Sequence, residues 1–350
     1  MSEALASLAL VPKSETPLSA KQFKTDQEVR WCPGCGDYAI LAAVQSFLPE
    51  LGVKRENIAF ISGIGCSSRF PYYVDTYGMH SIHGRAPAVA TGLATTRQDL
   101  SVWVVTGDGD ALSIGGNHLI HAMRRNVNLK ILLFNNRIYG LTKGQYSPTS
   151  EEGKLTKSSP YGSLDHPFNP ISLAIGAEAT FIARTIDSDR KHLIEVLGAA
   201  AAHEGTAIVE IYQNCNIFND GAWDALKDSE TRDDLLIRLE HGKPIRVGSD
   251  RGIFHDGKGS FIMAEVTEAN ASELVVHDAH AEDPSLAFAL SRMSHPVKLN
   301  NTPIGVFRDV KRDVYDRQMS EQIDAVTEKL GAGNLSKLLR SADTWEIKAE

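Results

Sequence analysis

The feature that most constrains the fold is a strand, helix and strand pattern in the middle of the chain. Residues 101–106 form a short run rich in β-branched side chains, 110–126 carry apolar residues at helical spacing, and 129–134 form another strand-like run. A helix between two strands is the usual connection of neighbouring parallel strands. The pattern therefore predicts a βαβ unit, with Gly115 and Gly116 letting its helix lie close to the sheet.

A second unit of the same kind follows downstream. Residues 181–186 and 206–212 are strand-like, and Ser188 could cap a helix that runs to about residue 203. Two such units in one chain favour a single sheet with helices on both faces. The predicted fold class is α/β, with a doubly wound, mostly parallel sheet.

The sequence changes character after about residue 219. Residues 220–260 are rich in charge and glycine and show little periodicity, which predicts either a long ordered excursion or a mobile loop. Regular patterns then return. Residues 273–277 could form a strand, and an apolar stripe at 319–330 predicts a helix that ends before Gly331.

Composition and charge exclude several classes of protein. The 350 residues are 42% hydrophobic and 23% charged, which is ordinary for a globular protein long enough for two domains. The formal net charge of −8 argues against a nucleic-acid partner. No stretch approaches the roughly 20 apolar residues of a membrane span, and the start has no signal-peptide pattern. We therefore expect no membrane partner and a cytoplasmic location.

The chain has four cysteines, and their spacing predicts one shared site. Cys32 and Cys35 form a Cys-x-x-Cys pair, while Cys66 and Cys215 lie far along the chain. In a chain of intracellular type, this spacing favours a metal or cluster site over a disulfide framework. The count alone does not decide which metal is bound.

A candidate phosphate site follows the first strand of the central unit. Gly107, Asp108, Gly109 and Asp110 come directly after that strand, and Asn136 follows the next one. The carboxyl ends of parallel strands form the ligand crevice of an open α/β sheet, where glycines let backbone amides approach phosphate oxygens. Asp108 and Asn136 offer the hard oxygens that Mg²⁺ prefers. Gly-Asp-Gly is also common in turns, but the chain has neither a Gly-x-Gly-x-x-Gly after a strand nor a Walker Gly-Lys-Ser/Thr.

The spacing of these residues resembles the thiamine-diphosphate signature. In that signature Gly-Asp-Gly is followed by Asn or Asn-Asn about as far on as Asn136 lies from Gly107, which is thirty residues inclusive. The resemblance implies that Asp108, Asn136 and the main-chain carbonyl of Ile138 hold Mg²⁺ against the diphosphate.

Six motifs together are similar to those of the beta subunits of 2-oxoacid:ferredoxin oxidoreductases, and they occur in the same order. They are WCPGCG at 31–36, GIGCSS at 63–68, HSIHGRA at 80–86, GDGD at 107–110, NN at 135–136 and YGLTKGQ at 139–145. The similarity covers roughly residues 20–220, and parts of the tail match as well. The resemblance implies a thiamine-diphosphate-binding domain over 21–220, after a leader of residues 1–20. A C-terminal extension, 221–350, would include a tail that completes the fold.

The same resemblance assigns residues to two cofactors. It implies a [4Fe–4S] cluster ligated by all four cysteines, beside a thiamine diphosphate. Cys66 would link the two sites, because it lies in a loop that contacts the thiamine cofactor. The residues implied in cofactor binding are Ile64, Gly65, Cys66, Ser67, His83, Gly107, Gly109, Asp110, Tyr139, Gly140, Leu141 and Thr142. Three other histidines are predicted to be structural, namely His80, His118 and His121.

Three positions bear on the substrate. Arg69 and Lys143 resemble positions that meet the distal carboxylate in family members acting on 2-oxoglutarate. Leu141 resembles the form found in members that take 2-oxoacids larger than pyruvate. Two cations facing one pocket are costly unless a dianion neutralises them. The resemblance therefore predicts 2-oxoglutarate, rather than pyruvate, as the substrate.

The implied reaction is the thiamine-dependent oxidative decarboxylation of 2-oxoglutarate with coenzyme A to succinyl-CoA and CO₂. Electrons would pass singly through the cluster to ferredoxin. The chain resembles only the diphosphate-holding domain of a thiamine enzyme. We therefore assign it no catalytic base and expect the catalytic glutamate on an alpha subunit. The predicted assembly is α2β2, with the isolated chain inactive.

Three alternatives remain open from the sequence. The same chemistry could act on pyruvate or on a broader range of 2-oxoacids. The chain could instead be a non-redox thiamine-dependent decarboxylase subunit whose cysteines bind zinc or nothing. A non-catalytic cluster protein is the third alternative, but it would have no use for Asp108 and Asn136 at a metal and diphosphate crevice.

Overall fold

The computed structural model describes residues 5–258, 260–294 and 299–348. The strands of this part are β1 Ile58–Ser62, β2 Tyr77–His80, β3 Ser101–Gly107, β4 Leu129–Asn135, β5 Phe181–Ile186, β6 Ala207–Tyr212, β7 Leu236–Leu239, β8 Arg246–Val247, β9 Arg251–His255, β10 Phe261–Glu265 and β11 Thr302–Asp309. Eight of them form the main sheet, in the order β2-β1-β3-β4-β6-β5-β11-β7. Neighbours in this sheet are parallel, except that β11 runs antiparallel to β5.

Helices cover both faces of this sheet. The helices are α1 Asp37–Phe47, α2 Ala86–Thr96, α3 Asp108–Leu112, α4 Gly116–Arg125, α5 Pro170–Gly176, α6 Arg190–Ala202, α7 Arg232–Leu235, α8 Ser285–Ser291, α9 Tyr315–Leu330 and α10 Leu335–Leu339. The core on one face includes α1 and α6, and the core on the other includes α2, α4 and α5. The predicted α/β class and the doubly wound, mostly parallel sheet are therefore confirmed.

The central strands are apolar along their whole length because both of their faces are covered. In β3, Trp103 and Val105 enter the core with α1 and α6, whereas Val102 and Val104 enter the core with α2 and α4. Successive side chains of a strand point to opposite faces, so a parallel strand between two helical layers reads as a continuous apolar run. This packing fixes the ends of β3 and β4, where the candidate site residues follow.

The helix predicted for 110–126 is interrupted. It forms α3 and α4 with a break between them, and Asn126 ends α4 in the left-handed conformation. The predicted role of the glycines is wrong. A Cβ on Gly115 would lie 2.5 Å from the Asp110 carbonyl oxygen and 2.9 Å from the Gly84 Cα, and a Cβ on Gly116 would meet open space. The close approach is therefore to the Gly84 loop rather than to the sheet.

The region after residue 219 is more regular than its sequence suggests. Strand β7 joins the main sheet beside β11, and β8, β9 and β10 form a separate antiparallel sheet in the order β10-β9-β8. Of the two alternatives predicted for 220–260, the described residues form the ordered excursion rather than the mobile loop. The strand predicted for 273–277 is wrong, because only isolated bridges from Leu274 and Val276 form there. The helix predicted for 319–330 is confirmed within α9.

The start of the chain packs on the main core. Leu8 and Val11 are buried with α1 and α6, and a bridge joins Lys13 to Val53. Residues 1–4 of the predicted leader lie outside the described residues. The boundaries at residues 20 and 220 remain predictions. No helix in the described part is long and apolar enough to cross a membrane.

Candidate active site

A cleft opens at the carboxyl ends of β1, β3 and β4, where an open α/β sheet binds ligands. Its lining consists of Ile64, Gly65, Cys66, Ser67, His83, Gly107, Asp108, Gly109, Asp110, Asn136, Ile138, Tyr139, Gly140, Leu141 and Thr142. These are the residues that the sequence assigned to thiamine diphosphate and Mg²⁺. The structure brings them together from four separate stretches of the chain, although it does not test their roles.

Asp108 is a buried carboxylate without a cation beside it. It is 2% exposed, and no lysine, arginine or histidine of the described ranges pairs with it. Burial raises the pKa of Asp108, and hydrogen bonds from the Ser147 and Thr149 hydroxyls oppose that rise. An ionised carboxylate in such a place needs a compensating positive charge. A divalent cation carried by a diphosphate fits this requirement.

Asn136 and Ile138 follow β4 on the other side of the cleft. The Asn136 side-chain oxygen accepts a hydrogen bond from the Ile138 backbone N–H at 3.2 Å, which forms a local turn. The Asn219 amide donates to the Asn136 carbonyl at 2.9 Å, so the turn is also fixed from outside. The side-chain oxygen of Asn136 and the carbonyl of Ile138 thus belong to one tightly held turn facing Asp108.

Asp110 holds two loops of the cleft together. Its Oδ1 accepts hydrogen bonds from the backbone N–H groups of Ile64 at 3.2 Å and Gly84 at 2.8 Å, and its Oδ2 accepts from Thr106 at 2.8 Å. The His83 imidazole lies 3.5 Å from the same carboxylate. Because both carboxylate oxygens accept hydrogen bonds from the protein, Asp110 fixes the positions of the two loops that carry Ile64 and Gly84.

The four cysteines gather beside this cleft. Cys66 follows β1, Cys215 follows β6, and the other two precede α1. A Cβ on Gly140, a residue of the cleft lining, would lie 3.5 Å from the sulfurs of both Cys66 and Cys215. The loop that follows the turn of Asn136 and Ile138 therefore lies directly beside the cysteine group.

The thiols are close enough to influence one another. Burial, together with the charges of Asp37, Cys215 and Cys32, raises the pKa of the Cys66 thiol to about 12, and Arg69 opposes this rise. Burial also raises the pKa of Cys35, with Asp37, Cys215 and Cys66 adding to the effect. Thiolates packed in this way need positive charge near them. In the part of the chain that the structure describes, no three acidic, histidine or cysteine side chains surround a single ion position.

Two neighbours of the cysteine group were not identified from the sequence. The Gln213 amide donates to the Cys35 sulfur at 3.2 Å, and the Trp31 indole donates to the Cys66 carbonyl at 2.6 Å. Gln213 lies two residues before Cys215, and Trp31 lies next to the Cys-x-x-Cys pair. Proximity in sequence to a cysteine of this group is the signal that could have found both.

Asp37 is a third such neighbour. It is buried at the start of α1, beside the Cys35 thiol. Burial raises the pKa of Asp37 to about 7. The group beside the cysteines is therefore easily protonated near neutral pH.

The three predicted substrate residues are placed differently. Leu141 lines the cleft, but Arg69 and Lys143 do not. Arg69 lies in a short 3₁₀ helix and donates to the Arg30 carbonyl at 3.3 Å. Lys143 lines a neighbouring depression that includes Phe218, and its backbone has φ +81°, a conformation that is strained for any residue with a side chain. Their predicted role in substrate binding remains a prediction.

The remaining histidines have local partners. His80 interacts with the Ser62 hydroxyl at 2.9 Å and the Ser68 carbonyl at 3.0 Å. On α4, His118 contacts Arg85, and His121 accepts a hydrogen bond from Arg124 at 3.4 Å. These contacts agree with a structural role for all three.

Comparison with known proteins identifies the family. Residues 63–211 match the family of the thiamine pyrophosphate enzymes, C-terminal TPP binding domain. The chain is 59% identical to the 2-oxoglutarate oxidoreductase subunit KorB of Mycobacterium tuberculosis, over 99% of this chain and 93% of the relative. It is 43% identical to the 2-oxoacid:ferredoxin oxidoreductase 1 subunit beta of Aeropyrum pernix, over 62% of this chain and 67% of that one.

A solved structure agrees with these relatives. The 2-oxoglutarate:ferredoxin oxidoreductase of Magnetococcus marinus, solved with 2-oxoglutarate, coenzyme A and succinyl-CoA bound, superposes with a TM-score of 0.73 at 34% identity. The superposition covers 95% of this chain and all of that one. The family predicted from the six motifs is confirmed. The chain belongs to the beta subunits of the 2-oxoacid:ferredoxin oxidoreductases, which are thiamine pyrophosphate enzymes.

Proposed function

We propose that this chain is the beta subunit of a 2-oxoglutarate:ferredoxin oxidoreductase that converts 2-oxoglutarate and coenzyme A to succinyl-CoA and CO₂. The observation that carries the proposal is the position of Gly140. It lines the thiamine cleft, and its Cβ position lies 3.5 Å from two of the four cysteine sulfurs. A cofactor that forms an electron-rich intermediate would thus lie beside a group able to accept single electrons.

The residues of this chain have three tasks in the proposed reaction. Asp108, Asn136 and the Ile138 carbonyl would hold Mg²⁺ and, through it, the diphosphate. Thiamine diphosphate, when bound, supplies the electron sink for loss of CO₂. The glycines at 107 and 109 let the backbone come close to the diphosphate. The four cysteines would hold a [4Fe–4S] cluster as the first electron acceptor, with ferredoxin as the next.

The assignment of 2-oxoglutarate rests on the matching relatives and on Lys143. The structure with 2-oxoglutarate and the M. tuberculosis relative, a 2-oxoglutarate oxidoreductase subunit, are both similar to this chain along most of its length. Strained backbone tends to be kept at functional sites, and Lys143 has such a backbone next to the cleft loop. With Arg69 it would meet the distal carboxylate of the substrate.

An alpha subunit completes the site in this proposal. The cleft lining contains two aspartates but no glutamate that could face a pyrimidine ring. Apolar side chains at its rim are exposed, with Ile82 at 69% and Ile114 at 61%. Exposed apolar groups around a functional cleft favour a protein partner there. The expected assembly is α2β2, and the cytoplasmic location remains a prediction.

The test uses the anaerobically purified complex with its alpha subunit. Reduction of ferredoxin should require 2-oxoglutarate, coenzyme A, thiamine diphosphate and Mg²⁺, with pyruvate a poorer substrate. Iron and acid-labile sulfide should be present at four atoms each per beta chain. Decarboxylation without ferredoxin reduction, or zinc in place of iron, would favour the non-redox decarboxylase. Activity of the isolated beta chain would contradict the predicted need for a partner.

A further inference from the structure

The carboxylate of Asp108 accepts hydrogen bonds from two side-chain hydroxyls as well as from the backbone N–H groups of residues 108 and 109. The Ser147 hydroxyl donates to its Oδ2 at 2.5 Å, and the Thr149 hydroxyl donates to the same oxygen at 2.6 Å. Both hydroxyl-bearing residues are buried, and neither belongs to the cleft lining, whereas Asp108 does. The two hydroxyls therefore hold the carboxylate from outside the cleft.

Thr149 also connects this carboxylate to the centre of the sheet. Its Oγ1 lies 2.9 Å from the Asn135 side-chain oxygen, and the Asn135 amide donates to Glu210 Oε1 at 2.7 Å. The other oxygen of Glu210 accepts from Arg184 Nε at 2.7 Å. All members of this network are buried, and Glu210 and Arg184 lie on the neighbouring strands β6 and β5.

The residue that accepts the hydroxyl proton of Thr149 is the residue that Thr149 can orient. A hydroxyl has a single proton to donate, yet Thr149 lies within hydrogen-bond distance of both Asp108 and Asn135. The Asn135 oxygen already accepts a hydrogen bond from the Arg137 backbone N–H at 3.2 Å. An ionised carboxylate is the stronger acceptor, and its contact is the shorter one. The Thr149 proton therefore goes to Asp108.

We propose that Ser147 and Thr149 are positioning residues for the metal ligand Asp108. By holding Oδ2, they fix the rotation of its carboxylate in the orientation in which it would meet the cation that the diphosphate brings. The inference rests on the proposed function, because it takes Asp108 as a Mg²⁺ ligand. Groups that hydrogen-bond a metal ligand commonly contribute 10- to 100-fold to metal affinity.

The test measures Mg²⁺ binding rather than turnover. The complex with its alpha subunit is freed of metal with a chelator, supplied with excess thiamine diphosphate, and titrated with Mg²⁺ in a calorimeter. Thr149→Val keeps the shape of the side chain but removes the donor, and it should raise the half-saturating Mg²⁺ concentration about 10- to 100-fold. Thr149→Ser restores a hydroxyl and should remain within about threefold of the wild type. Ser147→Ala provides a second removal if Thr149→Val does not assemble.

A matched control separates this role from a general loss of packing. Thr185 is also buried, and its hydroxyl contacts His192 at 2.8 Å, away from the cleft. Thr185→Val should therefore leave Mg²⁺ affinity unchanged. The inference is overturned if Thr149→Val binds Mg²⁺ as the wild type does, if Thr185→Val has an equal effect, or if Thr149→Ser fails to restore affinity. Asp108→Asn should abolish Mg²⁺ binding, and if it does not, the proposed metal site itself is wrong.

Discussion

The ring of Tyr139 occupies the space that a side chain at Gly109 would need. A Cβ on Gly109 would lie 2.1 Å from a ring carbon of Tyr139, and the Tyr139 hydroxyl donates to the Gly109 carbonyl at 3.1 Å. The two residues come from opposite sides of the cleft, one after β3 and the other after β4. Their contact sets the distance between the glycines after β3 and the loop that lies beside the cysteines.

Gly109→Ala should therefore weaken cofactor binding. The methyl group must displace the Tyr139 ring, and overpacking of this kind costs about 1–3 kcal/mol. We expect thiamine diphosphate affinity to fall about tenfold or more, measured by calorimetry on the complex with saturating Mg²⁺. Gly116→Ala is the control, because a Cβ there meets open space. Equal affinity of the Gly109→Ala variant and the wild type would show that the ring can move freely.

Lys143→Gly should weaken the preference for 2-oxoglutarate without destabilising the fold. At φ +81° glycine relieves backbone strain, so thermal stability should rise by up to about 1 kcal/mol. Loss of the cation should lower the ratio of kcat/KM for 2-oxoglutarate over pyruvate at least about tenfold, the equivalent of about 1.4 kcal/mol.

Lys157 provides the control for that change, because it is an exposed lysine of the same depression. Lys157→Ala should leave the ratio of the two specificity constants as it is in the wild type. If Lys143→Gly also leaves the ratio unchanged, Lys143 does not select the substrate.

Gln213→Leu should lower the midpoint potential of the cluster. The amide of Gln213 donates to the Cys35 sulfur, and a donor to a ligand sulfur favours the reduced, more negative cluster. A hydrogen bond worth about 1 kcal/mol corresponds to about 40 mV for one electron. A redox titration followed by electron paramagnetic resonance checks the shift, with iron content measured to ensure that the cluster is intact. An unchanged potential at full iron content would show that the Gln213 hydrogen bond does not influence the midpoint potential.

Acid should destabilise the chain partly through His277. Its Nε2 lies 2.7 Å from the Val306 carbonyl, its Nδ1 is buried without a partner in the described part, and burial lowers its pKa. A histidine in the unfolded chain has a pKa of about 6.5. Below that pH the unfolded chain therefore binds a proton at His277 more readily than the folded chain does. Stability is thus present above about pH 6.5 and is lost as the pH falls, at up to about 1.4 kcal/mol per pH unit.

Urea unfolding at pH 7.5 and pH 5.5 tests whether the free energy of unfolding falls with the pH. Burial also lowers the pKa of His192 and His203, which adds to the loss of stability over this range, whereas the raised pKa of Asp37 opposes it. His277→Gln should lose less than the wild type, because one such group has been removed. An equal loss in the two proteins would mean that His277 is protonated in the folded chain.

Part of the cleft could be predicted from the sequence because two of its polar residues directly follow strands. Asp108 and Asn136 follow apolar runs that could only be buried parallel strands, and such ends meet at one edge of the sheet. The cysteines were tied to this edge by Cys66, which shares a loop with cleft residues. Strand patterns therefore predicted the fold class and the positions of Asp108 and Asn136, whereas the rest of the cleft lining was implied by the resemblance to a known family.

Other features depend on contacts that no local pattern encodes. Ser147 and Thr149 reach Asp108 from an irregular loop. The break before α4 arises because the Gly84 loop enters where a side chain on Gly115 would lie. Strand β11 joins the main sheet from the far end of the chain, by pairing across more than a hundred residues with β5. Long-range pairing of this kind leaves no periodic signal near the partner strand.

We expect a cluster held by the four cysteines to take electrons directly from the substrate bound on the thiamine cofactor. The most direct measurement adds 2-oxoglutarate to the anaerobic, iron-loaded complex without ferredoxin and follows the cluster by electron paramagnetic resonance. A reduced [4Fe–4S] signal should appear, should require thiamine diphosphate and Mg²⁺, and should be lost in Asp108→Asn. A complex with four irons per beta chain that decarboxylates 2-oxoglutarate without reducing its cluster would show that this cluster is not the electron acceptor.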